Sequence, residues 1–264
     1  AVAQMSSQDD VAANLARVAA LAERARAGGA TLLVLPENFA LLGDETKKRA
    51  IAERLEAPGP ILGAVAEVAA KHGLVIVAGG MPERSDDADR PFNTSVLVDA
   101  AGRIVASYRK VHLFDVSLAD GTALRESAAT TAGSTPAVVD VLGTRLGMTV
   151  CYDLRFPELY RAMVAAGARV VTVPAAFTLT TGKDHWHVLL RARAIENQVY
   201  VLAAAQHGRH PKGRQTYGKS LIVDPWGDVL AQAQEGEGLA FAELDFAYQD
   251  RVRAELPCLG HRRL

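Results

Sequence analysis

Short apolar runs alternate with segments of helical period along the whole chain. Val2–Met5 and Thr31–Leu35 read as buried strands, too short and too uniformly apolar for amphipathic helices. Between them Val11, Leu15, Val18, Ala22 and Ala25 recur at helical spacing, with a capping box of Ser7 and Asp10 ahead and Gly28-Gly29 as the stop. The same reading predicts helices over about 46–55, 61–71, 156–166 and 184–198, the last with Val188, Leu189, Ala192 and Ile195 on one face. Strands are predicted at 74–78 (ended by Gly79-Gly80), at 95–98 and 104–108 around an Ala101-Gly102 turn, and at 138–141 and 145–150. Others follow at 169–173, 199–205, 217–223, 228–233 and 239–244. Phe114 to Gly133 shows no period and reads as a long ordered loop. Strands alternating with helices make the class α/β. No linker or low-complexity stretch interrupts the pattern, so residues 1–264 are expected to form one domain.

Composition narrows the picture. With 29 Lys and Arg against 30 Asp and Glu, the net charge of -1 gives no footing for nucleic acid or an acidic membrane. The expected partner is a small molecule. Two cysteines, Cys151 and Cys258, are too few for a disulfide scaffold. No basic segment followed by an apolar one opens the chain, and no apolar run is long enough to span a bilayer. Cytoplasmic placement is the expectation.

Three residues at strand exits stand out. Cys151 follows the apolar strand Leu146 to Val150 and precedes a helix start marked by Pro157. A thiol at such a turn meets backbone N–H groups that no helical carbonyl has claimed, which predicts a lowered thiol pKa and a place for an oxyanion. Glu37 follows the strand at 31–35, and Lys110 follows the strand at 104–108. Alone, each has a bland reading: a core thiol, a loop carboxylate, a solvated lysine. Together they can line one cleft at the ends of buried strands. His185 and His187 sit on different faces of a helix, and no HExxH or CxxC occurs, so no metal site is expected.

Pro36-Glu37-Asn38, Tyr108 to Asp115 and Cys151 to Glu158 resemble the three signatures of nitrilase-superfamily amidases. The resemblance continues through Thr181-Gly182, His185-Trp186, Leu190 to Glu196 and Asp224-Pro225-Trp226-Gly227. It implies a four-layer αββα sandwich, homodimers paired across a helical face, a Glu37-Lys110-Cys151 set and no cofactor. It also places Glu126 beside Lys110, the backbone N–H of Tyr152 at the oxyanion, and Arg155, Phe177 and Thr181 in the substrate pocket. Arg155 suits a carboxylate because its guanidinium binds one bidentately. Its bland reading is an ion pair with Glu158.

Among these amidases, Ala203 to His210 and Tyr217 to Ser220 resemble the branch acting on deaminated glutathione. That implies release of 2-oxoglutarate and cysteinylglycine. The alternative is ω-amidase action on 2-oxoglutaramate; a non-catalytic scaffold and an acyltransferase of the same fold are further rivals. A basic run, Arg209, His210, Lys212 and Arg214, is either simply solvated or meets the terminal carboxylate of a peptide-like substrate. Cys258 is expected to be inert.

Overall fold

The computed structural model describes residues 1–44, 46–117, 121 and 123–263. The first elements are β1 (Val2–Met5), α1 (Val11–Ala27), β2 (Leu32–Leu35), α2 (Thr46–Ala50), α3 (Pro60–His72), β3 (Val75–Glu83), β4 (Phe92–Val98) and β5 (Ile104–Arg109). Next come β6 (Asp115–Ser117), β7 (Ala123–Arg125), β8 (Ala137–Val141), β9 (Thr144–Met148), α4 (Pro157–Ala165), β10 (Val170–Thr172) and α5 (Leu179–Asn197). The last are β11 (Tyr200–Ala203), β12 (Ala205–Arg209), β13 (Gln215–Tyr217), β14 (Leu221–Val223), β15 (Val229–Gln232), β16 (Gly238–Ala240) and α6 (Phe246–Glu255).

One sheet runs β13-β12-β1-β2-β3-β4-β5, with β16 antiparallel to β1; the other runs β15-β14-β11-β10-β9-β8. Each has parallel strands at its centre, β12-β1-β2-β3 in one and β9-β10-β11 in the other. The period-2 rule then assigns the layers. Leu33, Leu35, Ile76, Ala78, Val96 and Val98 pack with Val18, Leu21, Val65 and Ala69 of α1 and α3. The intervening Val34, Val75, Val77 and Leu97 join Met148, Val171 and Val201 of the other sheet, in a cluster that extends to Met163 and Trp186 of α4 and α5. The result is the αββα sandwich. No helix among the described residues is long and apolar enough to cross a membrane.

Several boundaries differ from the sequence reading. Asp10, not Ser7, caps α1, accepting from Ala13 N at 3.0 Å, while Ser7 is buried and donates to Phe39 O. The helix read over 46–55 stops at Ala50, because Glu53 is drawn to the edge of β3. Its carboxylate accepts from Gly59, Ile61 and Leu62 N–H at 3.1, 2.6 and 2.9 Å, satisfying the free donors that open α3. The strand read as ending at Gly79-Gly80 continues to Glu83 through a register shift between Ala78 and Met81. The segment 199–205 is two strands in different sheets, joined at Ala204. In α5, which begins five residues early, the apolar residues read as one face include Val188 and Ile195, 66% and 45% exposed. Trp186, Leu190 and Ala194 form its buried side. The segment 114–133 holds the β6–β7 ribbon, with 118–120 and 122 outside the described residues. Helix α6, whose polar sequence hid its period, is anchored by Gln249 and Arg253.

Candidate active site

The exits of β2, β5, β9 and β10 converge, and each delivers one part of the site. Beyond β2 comes Glu37; beyond β5, Lys110; beyond β9, Cys151; beyond β10, the segment from Pro174 to Thr178. Lys110 Nζ donates to Glu37 Oε1 at 2.9 Å and to Glu126 Oε2 at 2.8 Å. The lysine and Glu37 side chains are 2% and 3% exposed, so this is a desolvated ion cluster rather than a surface pair. Burial works against the charge on Lys110, but Glu126 and Glu37 outweigh it and raise its pKa well above the ordinary value. Burial likewise pushes Glu37 up, and Lys110, aided by Arg214 and Lys48, brings it below its usual value. The expected pairing of Glu126 with Lys110 is therefore present, fixed further by Phe114 N at 2.7 Å.

Cys151 opens a short 3-10 helix, Cys151–Arg155, with φ of 49°. That left-handed conformation is unfavourable for a residue with a Cβ, and it bends the strand sharply at the thiol. Its own N–H is held by Pro174 O at 2.8 Å. The thiol pKa moves opposite to the sequence expectation. Burial and the Glu37 carboxylate raise it well above the ordinary thiol value, against the opposing pull of Lys110 and the Ala176 N–H. A five-residue 3-10 helix has too few aligned peptides to offset a neighbouring anion.

Close backbone packing makes room for the cluster. Asn38 N bonds Gly80 O at 2.8 Å, so β3 passes directly beneath Glu37. Gly80 has φ of 59°, and a Cβ there would lie 2.7 Å from Glu37 Cγ. A Cβ on Gly79 would lie 2.1 Å from Pro174 Cβ. The glycines taken for a strand end are what let the site close.

Two contributors were missed in the sequence. Asn93 on β4 is buried, and its Nδ2 donates to Glu37 Oε1 and to Glu126 Oε1, both at 3.0 Å. A signal existed: Asn93-Thr94-Ser95 puts three polar residues in a strand that is otherwise apolar. Asp153, fully buried, accepts from Val150 N and Tyr108 Oη at 2.8 Å each and from His112 N at 3.1 Å. It ties the Cys151 turn to the segment carrying Lys110. Asp153 lay inside the Cys151 to Glu158 motif without a role, and Asn93 lay outside every quoted motif.

The cleft is lined by Glu37, Lys110, Glu126, Cys151, Tyr152 and Arg155, and also by Phe177, Thr181 and Arg214. Arg155 sits 5.1 Å from the Phe177 ring centroid and 5.9 Å from that of Tyr152, with Nη1 3.2 Å from His185 Nδ1. Thr181 Oγ1 lies 2.7 Å from Thr178 Oγ1. All the expected site residues are thus in one cleft, but of the basic run only Arg214 reaches it: Arg209 and Lys212 are exposed and His210 is buried elsewhere. Among the described residues, no group of three or more His, Cys, Asp or Glu is placed to hold a metal ion.

Comparisons with known proteins agree with this architecture. Residues 1–254 match the carbon-nitrogen hydrolase family. A protein of Synechocystis sp. named deaminated glutathione amidase is 46% identical over 99% of this chain and 97% of its own. The human protein of that name is 42% identical, covering 100% of this chain and 81% of its own. The crystal structure of Caenorhabditis elegans NitFhit superposes with a TM-score of 0.92 at 40% identity, over 99% of this chain; the chain spans 64% of NitFhit. A family match along nearly the whole chain, joined to this degree of identity with named amidases, makes the chain a member of the carbon-nitrogen hydrolase family and an amidase of the nitrilase superfamily.

Proposed function

We propose that the chain hydrolyses deaminated glutathione to 2-oxoglutarate and cysteinylglycine through a thioester on Cys151. The observation that carries the chemistry is the Lys110 ammonium clamped between Glu37 and Glu126 beside a buried thiol. The substrate rests on the relatives' name and on arginines in the cleft.

At rest the thiol is protonated and Glu37 ionised, so the proton moves as the sulfur attacks the amide carbon. Glu37 Oε1 already accepts from Lys110 and Asn93, whereas Oε2 accepts from Ala176 N at 3.0 Å. Oε2 therefore has a lone pair free for the thiol proton. Lys110 and the Tyr152 N–H receive the oxyanion. Collapse expels the amine, protonated by Glu37, and leaves the thioester. Glu37 then takes a proton from water, which attacks the thioester; collapse breaks the carbon–sulfur bond, frees the acid and expels the thiolate, to which Glu37 returns that proton. Arg155 holds the keto-acid carboxylate, with Phe177 and Thr181 as walls.

Cys151→Ala is expected to abolish turnover with the thermal unfolding midpoint nearly unchanged; hydrolysis above a trace refutes the mechanism. A side-by-side assay of deaminated glutathione and 2-oxoglutaramate, reading 2-oxoglutarate and ammonia separately, tests the substrate. Preference for 2-oxoglutaramate would make the protein an ω-amidase, and hydroxylamine outcompeting water would make it an acyltransferase.

The chain is read as one domain, since it crosses between the two sheets after β5, β11, β13 and β15. It is read as a cytoplasmic homodimer joined at the exposed side of α5, where Val188, Ile195 and Trp226 are 66%, 45% and 52% exposed. Sedimentation of Val188→Glu as a monomer would support that face; an unchanged mass would reject it.

A further inference from the structure

The basic run that sequence treated as one feature divides into separate tasks. Lys212, with φ of 61°, turns outward and pairs with Asp44 at 2.9 Å. His210 turns inward, where burial pulls its pKa down to about 4 and keeps it neutral. Its Nδ1 lies 2.8 Å from Ser7 O and its Nε2 lies 2.7 Å from Thr216 Oγ1. Its backbone N–H bonds Arg214 O at 2.8 Å. This buried anchor fixes the backbone of Arg214, whose side chain lines the catalytic cleft.

Ala176 locates Arg214 within that cleft. At one end of this residue the N–H holds Glu37 Oε2 at 3.0 Å; at the other the carbonyl accepts from Arg214 Nη2 at 3.4 Å. Arg214 thus flanks Glu37, and its charge is among those that lower the Glu37 pKa. Arg155, which also lines the cleft, is stationed over Phe177 and Tyr152. The tetrahedral carbon has three free substituents. Its oxygen faces Lys110 and the Tyr152 N–H, and its nitrogen faces Glu37, which must protonate it. The acyl chain takes the remaining direction, toward Arg155. A leaving group departing past Glu37 therefore runs along Arg214.

We propose that Arg214 binds a carboxylate on the amine half of the substrate, so that the site selects amides whose leaving group is an anionic peptide over those that release ammonia. The proposal rests on the deaminated-glutathione reading and assigns that substrate's second carboxylate. A guanidinium fits this task because it is permanently charged and pairs with carboxylates through two parallel N–H donors. The competing role is charge balance alone, in which Arg214 only tunes Glu37 and never meets substrate.

The test pairs a substrate deletion with a residue deletion. kcat/KM is measured for wild type and Arg214→Gln on deaminated glutathione, on its C-terminal glycinamide and on 2-oxoglutaramate. Amidation should cost wild type about 10- to 100-fold, the worth of a charge-assisted hydrogen bond, expressed mainly in KM. It should cost Arg214→Gln almost nothing. Losses transmitted through Glu37 strike all three substrates alike and cancel in the ratios. Arg125→Gln, at the exposed rim of the same cleft, should keep the wild-type penalty. Wild type indifferent to amidation overturns the proposal, and needs no variant to fold. So does an equal loss by Arg214→Gln on every substrate, or a penalty abolished by Arg125→Gln instead. Wild type inert on both forms of deaminated glutathione but active on 2-oxoglutaramate overturns the functional reading itself, and the proposal with it.

Discussion

Replacing Asn93 by Ala separates electrostatics from packing at this site. The change deletes two bonds of 3.0 Å, one to each carboxylate of the cluster. Bonds to charged groups are worth about 1.5–3 kcal/mol each. The same change removes Asn93 Oδ1, a buried oxygen without a partner, whose desolvation costs about 1–3 kcal/mol. The net loss of stability should therefore be smaller than the two bonds alone would suggest, about 0–5 kcal/mol. The effect on protonation has no such offset. Asn93 favours the ionised form of Glu37, and losing about 1.5–3 kcal/mol of that preference corresponds to about one to two pH units. Glu37 is depressed below 4.5 in the folded protein, so its stabilising contribution is present above that value and is lost as pH falls through the lower, folded value. Without Asn93 that loss begins at higher pH. The assay is kcat/KM against pH from weakly acidic to neutral, with circular dichroism at each point to confirm the folded state. The acid limb should move up by about one unit or more, with KM nearly constant. A limb that stays in place while the protein remains folded refutes the electrostatic role of Asn93 and the assignment of Glu37 as base.

Two other perturbations test neighbouring parts of the argument. Glu37→Gln removes the anion that raises the Cys151 thiol pKa, so the pH midpoint of iodoacetamide alkylation should fall while turnover is lost; an unchanged or higher midpoint contradicts the stated cause. Gly80→Ala puts a Cβ 2.7 Å from Glu37 Cγ at a φ of 59°, which should displace the base and cut kcat by about 100-fold, the order expected for a 1 Å misplacement. Wild-type kcat in that variant would show that Glu37 tolerates movement.

Local pattern and motif carried the sequence reading far, and its failures have a common cause. Glu37, Lys110 and Cys151 were visible because polar groups at strand exits break an apolar run. Glu126 came from resemblance alone; nothing in its surface-like neighbourhood announces a partner 16 residues away. Other misses needed information about what lies across space. The Val199–Ala205 run is uniformly apolar, so nothing local marks the transfer at Ala204 from one sheet to the other. Gly79-Gly80 is a stop signal by local rules, yet here it answers to the bulk of Pro174 and Glu37 overhead. The thiol pKa was misjudged because the turn was legible and the facing carboxylate, 114 positions earlier in sequence, was not. On α5 the apolar side read from sequence includes exposed residues, because Trp186 and Leu190, not Val188, face the sheet.

The two sheets do not contribute equally to the chemistry. Glu37, Asn93 and Lys110 arise from strands of one, and Cys151 with Ala176 from strands of the other. The proposed proton acceptor and the proposed nucleophile therefore ride on separate slabs, and the seam of Val, Leu and Met side chains between them sets the distance that proton would cross. A hydrophobic seam resists sliding because its side chains interlock at crystal-like density. Methylene groups remote from any substrate thus act as the ruler of the reaction, and catalytic rate becomes a gauge of how faithfully the two slabs are seated.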